Sequence, residues 1–188
     1  FMLVLTPGID LAPLVNGADY TFLLDVSGSM NSKLRPLANG VKQALGQMRP
    51  GDRFRIVTFS DAARDVTGGY VAVNDESVRR GIDLVLALKS SGSTNLYDGV
   101  RLALEGLDDD RATSLVLVTD GVANVGELSP QAFDALVSRF DVRIFGFVMG
   151  NSANWPLLRL MAESSGGFTT GISVDDDIVG QILLAKSK

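Results

Sequence analysis

The sequence predicts an α/β fold with a doubly wound, mostly parallel sheet of six strands, one antiparallel edge strand and helices on both faces. Short apolar runs alternate with amphipathic stretches along the chain, which is the pattern of βα units. The run 114–120 (SLVLVTD) is rich in branched apolar residues, as expected for a central strand buried on both faces. The chain has 188 residues, of which 46% are hydrophobic, and no internal repeat, so one compact domain is expected.

The first half of the chain is predicted to contain three strands, at 20–25, 53–60 and 65–73, and three helices, at 34–48, 75–88 and 96–107. Each helical segment has apolar residues at three- and four-residue spacing, which places them on one face. The turn Arg-Pro-Gly-Asp at 49–52 ends the first helix. A short link joins the second and third strands, which predicts an antiparallel hairpin, and Gly68 and Gly69 suit an edge strand or a bulge.

After the central strand, the second half is predicted to contain strands at 142–149 and 167–172 and helices at 130–140, 155–164 and 178–185. Ser129 is placed as the N-cap of the first of these helices, and Pro130 occupies its first turn. The strands and helices therefore continue to alternate to the end of the chain, as the fold class requires.

Residues 1–17 are expected to be a lead-in segment, and residues 18–188 the domain itself. Pro7, Gly8 and Pro13 interrupt the apolar residues of the lead-in. Position 1 is Phe rather than Met, so we expect ends set by processing or excision, with a signal or anchor removed. The apolar runs are far shorter than the roughly 18 residues of a membrane helix, so direct membrane insertion is not expected.

Charge and composition exclude several kinds of site. The formal net charge is -5 and no run of Lys or Arg occurs, so nucleic acid is not an expected partner. The chain contains no Cys and no His, which excludes thiol nucleophiles, disulfides, Ser-His-Asp catalysis and His- or Cys-bound zinc. Any metal ion must therefore be bound by oxygen atoms.

A carboxylate and two hydroxyls follow the first strand at alternate positions, in Asp25, Ser27 and Ser29. Alternate side chains of an extended segment share one side, and Gly28 lets the backbone bend between the two serines. In a doubly wound sheet the ligand crevice lies at the carboxyl ends of strands where the winding reverses. Asp25 lies at such an end, so the three oxygens are expected to converge there.

A second carboxylate, Asp120, ends the central strand in the same arrangement. The loop KSSGSTN before a predicted helix offers Thr94 as a further hydroxyl, although spacing alone does not select it over Ser91, Ser93 and Asn95. Two carboxylates and three hydroxyls suit Mg²⁺, which takes about six oxygen ligands, and Mn²⁺ or Ca²⁺ are also compatible. The sequence thus predicts a divalent-metal site with one position open to a ligand.

These residues resemble the metal-ion-dependent adhesion site of the von Willebrand factor type A family, whose pattern is Asp-x-Ser-x-Ser, then Thr, then Asp. The five matching positions are Asp25, Ser27, Ser29, Thr94 and Asp120. The resemblance covers most of the chain and includes the flanking segments FLLDVSGSM and GSTNLYDG. It implies that the serines and the threonine contact the metal ion, that the second aspartate acts through water, and that a partner's Glu or Asp fills the open position.

Within this family the chain is most similar to bacterial relatives of the inter-alpha-trypsin inhibitor heavy chains, on the segments FMLVLTPG, RPGDRF and SSGGF. In those proteins a β-rich domain precedes this one, which would make residues 1–17 a connector. The resemblance also implies a monomeric domain within a larger protein that is exported or associated with the cell surface.

Several other polar or aromatic residues are expected to be structural. Asp98 is placed in the first turn of a helix, where the helix dipole favours a carboxylate. The acidic runs 108–110 and 175–177 lack the ligand spacing of a calcium site and are expected to be a solvated loop and a helix N-terminus. Trp155 is expected to begin a helix, and would be an interface anchor only if exposed near the crevice.

The leading hypothesis is a non-enzymatic, divalent-metal-dependent binding module that captures an acidic group of a protein or matrix partner. The first alternative is a Mg²⁺-dependent phosphoryl-transfer or phosphatase-like enzyme. Such enzymes use Asp-x-Asp with a second acid, or a nearby Lys that holds the phosphate, whereas this chain has Ser27 in place of the second acid. Lys89 is the basic candidate considered for the phosphate. The second alternative is an intracellular scaffold subunit of an ATPase-driven complex.

Overall fold

The computed structural model describes residues 17–150 and 153–172. In chain order its strands are β1 (Asp19–Asp25), β2 (Arg53–Phe59), β3 (Ala63–Asp65), β4 (Val71–Ala72), β5 (Thr113–Thr119), β6 (Val142–Met149) and β7 (Phe168–Ile172). Its α-helices are α1 (Leu34–Gly46), α2 (Asp75–Leu86), α3 (Leu96–Leu104), α4 (Pro130–Val137) and α5 (Trp155–Ser164), and a 3-10 turn, Gly28–Met30, follows β1.

The strands form one sheet in the order β3-β2-β1-β5-β6-β7, and β4 also pairs with β2. The pairs β1·β2, β1·β5, β5·β6 and β6·β7 are parallel, whereas β3 and β4 are antiparallel to β2. The chain first moves outward from β1 to β2 and then returns to the other side of β1 with β5. The winding therefore reverses between β1 and β5, which is where a doubly wound sheet binds its ligand.

The core has two layers, one on each face of the sheet. Successive side chains of a strand point to opposite faces, so Phe22 and Leu24 pack against α1 and α2, whereas Leu23 packs with α3, α4 and α5. All three side chains are at most 1% exposed. The fold class predicted from the sequence, a mostly parallel sheet with helices on both faces, is confirmed.

The antiparallel edge differs in one detail from the sequence prediction, which had one strand over 65–73. The structure divides this run into β3 and β4 because the Asp65 side chain folds a turn. Its Oδ1 accepts hydrogen bonds from the backbone N–H groups of Thr67 at 3.1 Å and Gly68 at 2.8 Å. Gly68 and Gly69 have φ angles of +73° and +112°, which favour glycine.

A network of ion pairs around the buried carboxylate of Asp19 lies at the opposite end of the sheet, at the start of β1. Asp19 is fully buried and accepts hydrogen bonds from Arg53 Nε at 2.9 Å and from Arg111 Nε at 2.6 Å. Arg53 also pairs with Asp108 at 2.9 Å. These contacts connect the first residue of β1 to the segment before β5. They lie at the opposite end of the strands from the predicted site.

Three sequence predictions fall on residues outside the described ranges: the lead-in 1–17, apart from Gly17, the acidic run 175–177 and the helix 178–185. They stay predictions. Among the helices described here, none combines the length and the apolar character that a membrane crossing requires.

Candidate metal centre

The two aspartates of the predicted site lie at the ends of adjacent strands. Asp25 is the last residue of β1 and Asp120 directly follows β5, and the register of this pair aligns Leu24 with Val118. Both aspartates are buried, with 0% and 2% exposure. Parallel pairing thus brings to one edge two carboxylates that are far apart in the sequence.

A chain of hydroxyl and carboxylate oxygens connects the two strand ends. The hydroxyls of Ser27 and Ser29 are 3.1 Å apart, and Ser29 Oγ donates to Asp120 Oδ1 at 2.7 Å. The 3-10 turn that begins at Gly28 lets the backbone reverse here. Asp25 Oδ1 accepts from the Ser27 N–H at 2.8 Å and so holds the start of this turn.

Thr94 reaches the same place on the loop before α3. The backbone N–H of Thr94 donates to Asn124 Oδ1 at 2.9 Å, and the N–H of Asn124 donates back to the Thr94 carbonyl at 3.1 Å. A Cβ added at Gly121 would lie 3.4 Å from Thr94 Oγ1 and 3.7 Å from Ser29 Oγ. The two hydroxyls therefore converge on the space that glycine leaves free after Asp120.

The other hydroxyls of this loop are placed differently. Ser91 is exposed and its N–H donates to the Val26 carbonyl at 2.9 Å, whereas Thr94 is only 4% exposed. The backbone N–H of Ser93 is bonded to Asp61 Oδ1 at 2.8 Å. Of the loop residues that spacing left open, Thr94 is thus the buried hydroxyl that approaches Gly121.

Burial makes Asp25 unfavourable as an isolated anion. Desolvation raises the pKa of its carboxyl above the ordinary 3.8, hydrogen bonds from Thr119 and Ser27 lower it, and the charge of Asp120 raises it further. Thr119 Oγ1 donates to Asp25 Oδ2 at 2.6 Å. Among the described residues no Lys or Arg pairs with Asp25. A nearby cation would offset much of the electrostatic cost of this buried charge.

Asp120, in contrast, has a cationic partner that the sequence reasoning missed. Lys33 Nζ donates to Asp120 Oδ2, the carboxylate oxygen that does not accept from Ser29. A Cβ at Gly150 would lie 3.6 Å from Nζ, so the ammonium group lies near the end of β6. The lysine therefore approaches Asp120 on the side of β6, away from β1. Lys33 lies four residues after Ser29 in the sequence, and this closeness to the motif could have indicated that it reaches the site.

Two further positioning residues were also missed. Asp61 lies in the link between β2 and β3, and its Oδ1 accepts from Ser93 N. Asn124 fixes Thr94 through the paired backbone bonds described above. No sequence signal identified Asp61, because its contact depends on how two separate loops meet.

The donor set fits a hard divalent cation. All the groups that converge here are oxygens, as Mg²⁺, Mn²⁺ and Ca²⁺ prefer. Among residues 17–150 and 153–172, no three acidic side chains form a metal-binding cluster. An ion in this crevice would therefore depend on the hydroxyls of Ser27, Ser29 and Thr94 as well as on the two carboxylates.

The weaker candidates have structural contacts. Asp98 accepts from the Ala63 N–H at 2.7 Å and pairs with Arg101, and these contacts lower the pKa of its carboxyl. Asp108 is bonded to Arg53 and to the N–H of Asp110.

Trp155 begins α5 as predicted. It is partly buried, and it packs near Gly171 with Arg159 over its ring at 5.8 Å. Contacts with Arg159 of α5 and with Gly171 of β7 thus account for this side chain.

Two curated proteins are similar to this chain over most of its length. Mouse inter alpha-trypsin inhibitor heavy chain 4 is 28% identical over 176 residues, and human heavy chain H3 is 29% identical over 171 residues. These matches cover 86% and 83% of this chain but 18% and 19% of the relatives. The chain thus spans about a fifth of the length of these relatives.

Solved structures share the fold at lower identity. A von Willebrand factor type A protein from Catenulispora acidiphila has a TM-score of 0.80 and 19% identity, with 92% of this chain and 43% of that chain covered. Proximal thread matrix protein 1 from the mussel byssus, solved with a zinc-occupied MIDAS motif, has a TM-score of 0.73 and 23% identity, with coverages of 90% and 46%. The family model described as "von Willebrand factor type A domain" matches residues 18–170. The chain therefore belongs to the von Willebrand factor type A family.

Proposed function

We propose that this domain is a divalent-metal-dependent binding module that captures a carboxylate of a protein or matrix partner. The observation that carries the proposal is Asp25, a fully buried carboxylate without a cationic partner in the described part of the chain. Hydrogen bonds through Ser27 and Ser29 connect it to Asp120. A buried charge of this kind is costly unless a cation accompanies it.

The proposed roles follow from the chemistry of each group. Ser27, Ser29 and Thr94 would contact the ion through their hydroxyl oxygens, and Asp25 and Asp120 would bind it directly or through water. Two carboxylates contribute two negative charges, Lys33 one positive charge and a divalent ion two. The loaded centre would then carry a net charge of about +1, which favours an anionic group of a partner in the open position.

Mg²⁺ is the proposed ion, because neutral hydroxyls and carboxylates are hard oxygen ligands. Mn²⁺ and Ca²⁺ suit the same ligands. The zinc-occupied MIDAS motif of the mussel protein, which has the same fold, supports the proposal of a divalent-ion site. Removal of the ion with EDTA should therefore abolish partner binding whichever ion is used.

We propose no enzymatic activity for the domain. A phosphoryl-transfer enzyme needs a second acid or a cation free to hold the phosphate. Ser27 stands where the second acid would be, and the nearest ammonium group, that of Lys33, is bonded to Asp120. Lys89, the basic residue considered from the sequence, is exposed. Incubation with p-nitrophenyl phosphate and Mg²⁺ should give no release of p-nitrophenol above that of the Asp25→Ala variant.

The experiment that tests the proposed function is a pull-down from native extracts with Mg²⁺ or with EDTA. The wild-type domain should retain a partner in Mg²⁺ and release it in EDTA, and the Ser27→Ala variant should retain none. Circular dichroism of both proteins serves as the folding control. Equal retention by wild type and Ser27→Ala in both buffers would contradict metal-dependent capture.

The similarity to inter-alpha-trypsin inhibitor heavy chains also supports a proposal about the longer protein. We expect this domain to be one part of an exported or surface-associated protein, with residues 1–17 as the connector to a preceding domain. Cell fractionation of the source organism, with an antibody against the domain, tests this expectation.

A further inference from the structure

The loop 121–129, between β5 and α4, exposes several large apolar side chains. Val122, Val125 and Leu128 are 49%, 39% and 46% exposed. The only other large apolar residue exposed to this extent, within the ranges the structure describes, is Leu86. Single exposed apolar residues are normal, but several in one short loop are typical of an interaction surface.

The beginning of this loop is fixed at the candidate metal centre. Gly121 faces the hydroxyls of Thr94 and Ser29, as the positions of a hypothetical Cβ show. Asn124 is bonded to the backbone of Thr94 on both its N–H and its carbonyl. Val122 lies between these two anchors in the chain, so an exposed apolar residue directly follows the glycine that borders the centre.

The end of the loop is also anchored. Gly126 has a φ of +79°, and a Cβ there would lie 2.4 Å from Asn95 Oδ1, so only glycine permits this approach. Val125 is therefore held beside the loop that carries Thr94. Glu127, the only charged residue in 121–129, accepts from the Ser129 N–H at 2.7 Å. The loop is thus held in place, and it exposes three large apolar side chains together with one carboxylate, that of Glu127.

We propose that Val122, Val125 and Leu128 form an apolar rim that contacts an aliphatic or aromatic side chain next to the partner's metal-bound carboxylate. This inference rests on the proposed function. The charge distribution favours this partner, because the loaded centre would be positive whereas the side chains of Val122, Val125 and Leu128 are uncharged and apolar. A partner segment with an acidic residue beside an apolar one satisfies both surfaces, and burial of the apolar side chain would strengthen binding.

The probe is a library of random peptides displayed on phage, selected on the immobilised domain in Mg²⁺ and eluted with EDTA. The eluted peptides should combine Asp or Glu with an adjacent Leu, Ile, Val or Phe. One enriched peptide is then synthesised, and its Kd is measured for the wild type, for the triple variant V122S/V125S/L128S and for the matched control Leu86→Ser.

The triple variant should bind the peptide about tenfold more weakly or worse, and Leu86→Ser should bind it like the wild type. Serine in place of the peptide's apolar residue should weaken binding to the wild type but not to the triple variant, which measures the direct coupling. The Mg²⁺ affinity and the far-UV circular dichroism of the triple variant should match the wild type, so misfolding is separated from loss of contact.

Three outcomes would overturn the apolar rim. EDTA-eluted peptides that carry acids without apolar neighbours, or equal Kd values for wild type and triple variant, would reject the rim and leave metal-dependent capture intact. No EDTA-eluted peptide at all would contradict the proposed function and the rim together. A dimer of the wild type that the triple variant fails to form would assign the loop to a second copy of the chain instead.

Discussion

Lys33 and Asp120 form an ion pair at the edge of the candidate metal centre. The lysine ammonium group donates to Oδ2 of the aspartate, while Ser29 donates to Oδ1 at 2.7 Å. The pair neutralises one of the two buried carboxylates, and the described residues supply no such partner for Asp25. Lys33 and a divalent ion would therefore share the negative charge of Asp120, and the lysine would repel the ion.

Replacement of Lys33 by Met should strengthen Mg²⁺ binding. The substitution keeps much of the apolar stem and removes a positive charge, whose repulsion of a nearby ion is worth at least about 1 kcal/mol. We expect an affinity about tenfold higher by isothermal titration calorimetry. Lys42→Met, on an exposed position of α1, is the charge-matched control and should leave the affinity unchanged. Weaker Mg²⁺ binding by Lys33→Met would contradict this account of the pair.

Replacement of Asp25 by Asn should stabilise the metal-free domain and abolish its response to Mg²⁺. Because burial raises the pKa of the Asp25 carboxyl, the folded protein binds its proton more tightly than the unfolded chain does. The free energy of unfolding without metal should therefore fall as the pH rises from about 3.8 through the raised pKa. The amide of the Asp25→Asn variant does not titrate. Its free energy of unfolding, measured with urea across the same pH range, should therefore not show this fall.

Mg²⁺ should reverse this pH dependence in the wild type. The ion binds the deprotonated carboxylate, so the stabilisation that it gives should grow as the pH rises through the same range. Thermal midpoints measured with Mg²⁺ and with EDTA across this range test both signs. A midpoint gain in Mg²⁺ that is equal for wild type and Asp25→Asn would show that Asp25 is not part of the site.

Replacement of Asn124 by Ala should weaken Mg²⁺ binding, although Asn124 is not one of the five proposed ligands. Its Oδ1 accepts from Thr94 N at 2.9 Å and so positions the threonine hydroxyl. We expect an affinity lower by about tenfold, the effect typical of losing a supporting residue in a metal site. The result would be contradicted by an unchanged Kd in calorimetry.

Asn74→Ala is the matched control for that experiment. Asn74 also accepts from a backbone N–H, that of Ser77 at 2.9 Å, but as the N-cap of α2. Its removal should cost about 1 kcal/mol of stability and leave the Mg²⁺ affinity unchanged. The two asparagines thus separate a loss of stability from a loss of site geometry.

Replacement of Asp19 by Asn should lower stability without affecting the metal centre. Two arginines, Arg53 and Arg111, donate to this fully buried carboxylate, and a neutral amide cannot balance their charges. Arg53 is partly exposed and keeps Asp108, so we expect a loss of about 2 kcal/mol in urea unfolding. The Mg²⁺ affinity should be unchanged, because Asp19 and Asp25 lie at opposite ends of β1.

The fold could be predicted because its decisive signals are local. The apolar runs of β1 and β5 and the helical spacing between them are visible in short windows of sequence. The carboxylate and two hydroxyls of Asp25, Ser27 and Ser29 are also neighbours in the chain, so one short segment indicates a cation site. The fold class then places Asp120 at the adjacent strand end.

The remaining parts of the site depend on contacts between loops that are distant in the sequence. Asp61 is 32 residues from Ser93, and Asn124 is 30 residues from Thr94. Neither contact can be recognised from a short window of sequence. Thr94 was selected by the resemblance to a known family rather than by spacing. The division of the edge into β3 and β4 escaped prediction for a related reason, since it depends on the side chain of Asp65.

The central claim is that five side chains, those of Asp25, Ser27, Ser29, Thr94 and Asp120, surround one divalent ion. The most direct measurement is an anomalous difference map from crystals of the domain grown in Mn²⁺. The account predicts one strong peak at about 2.0 to 2.4 Å from hydroxyl oxygens of the two serines. A map without a peak in this crevice, or with its only peak elsewhere on the domain, would contradict the account.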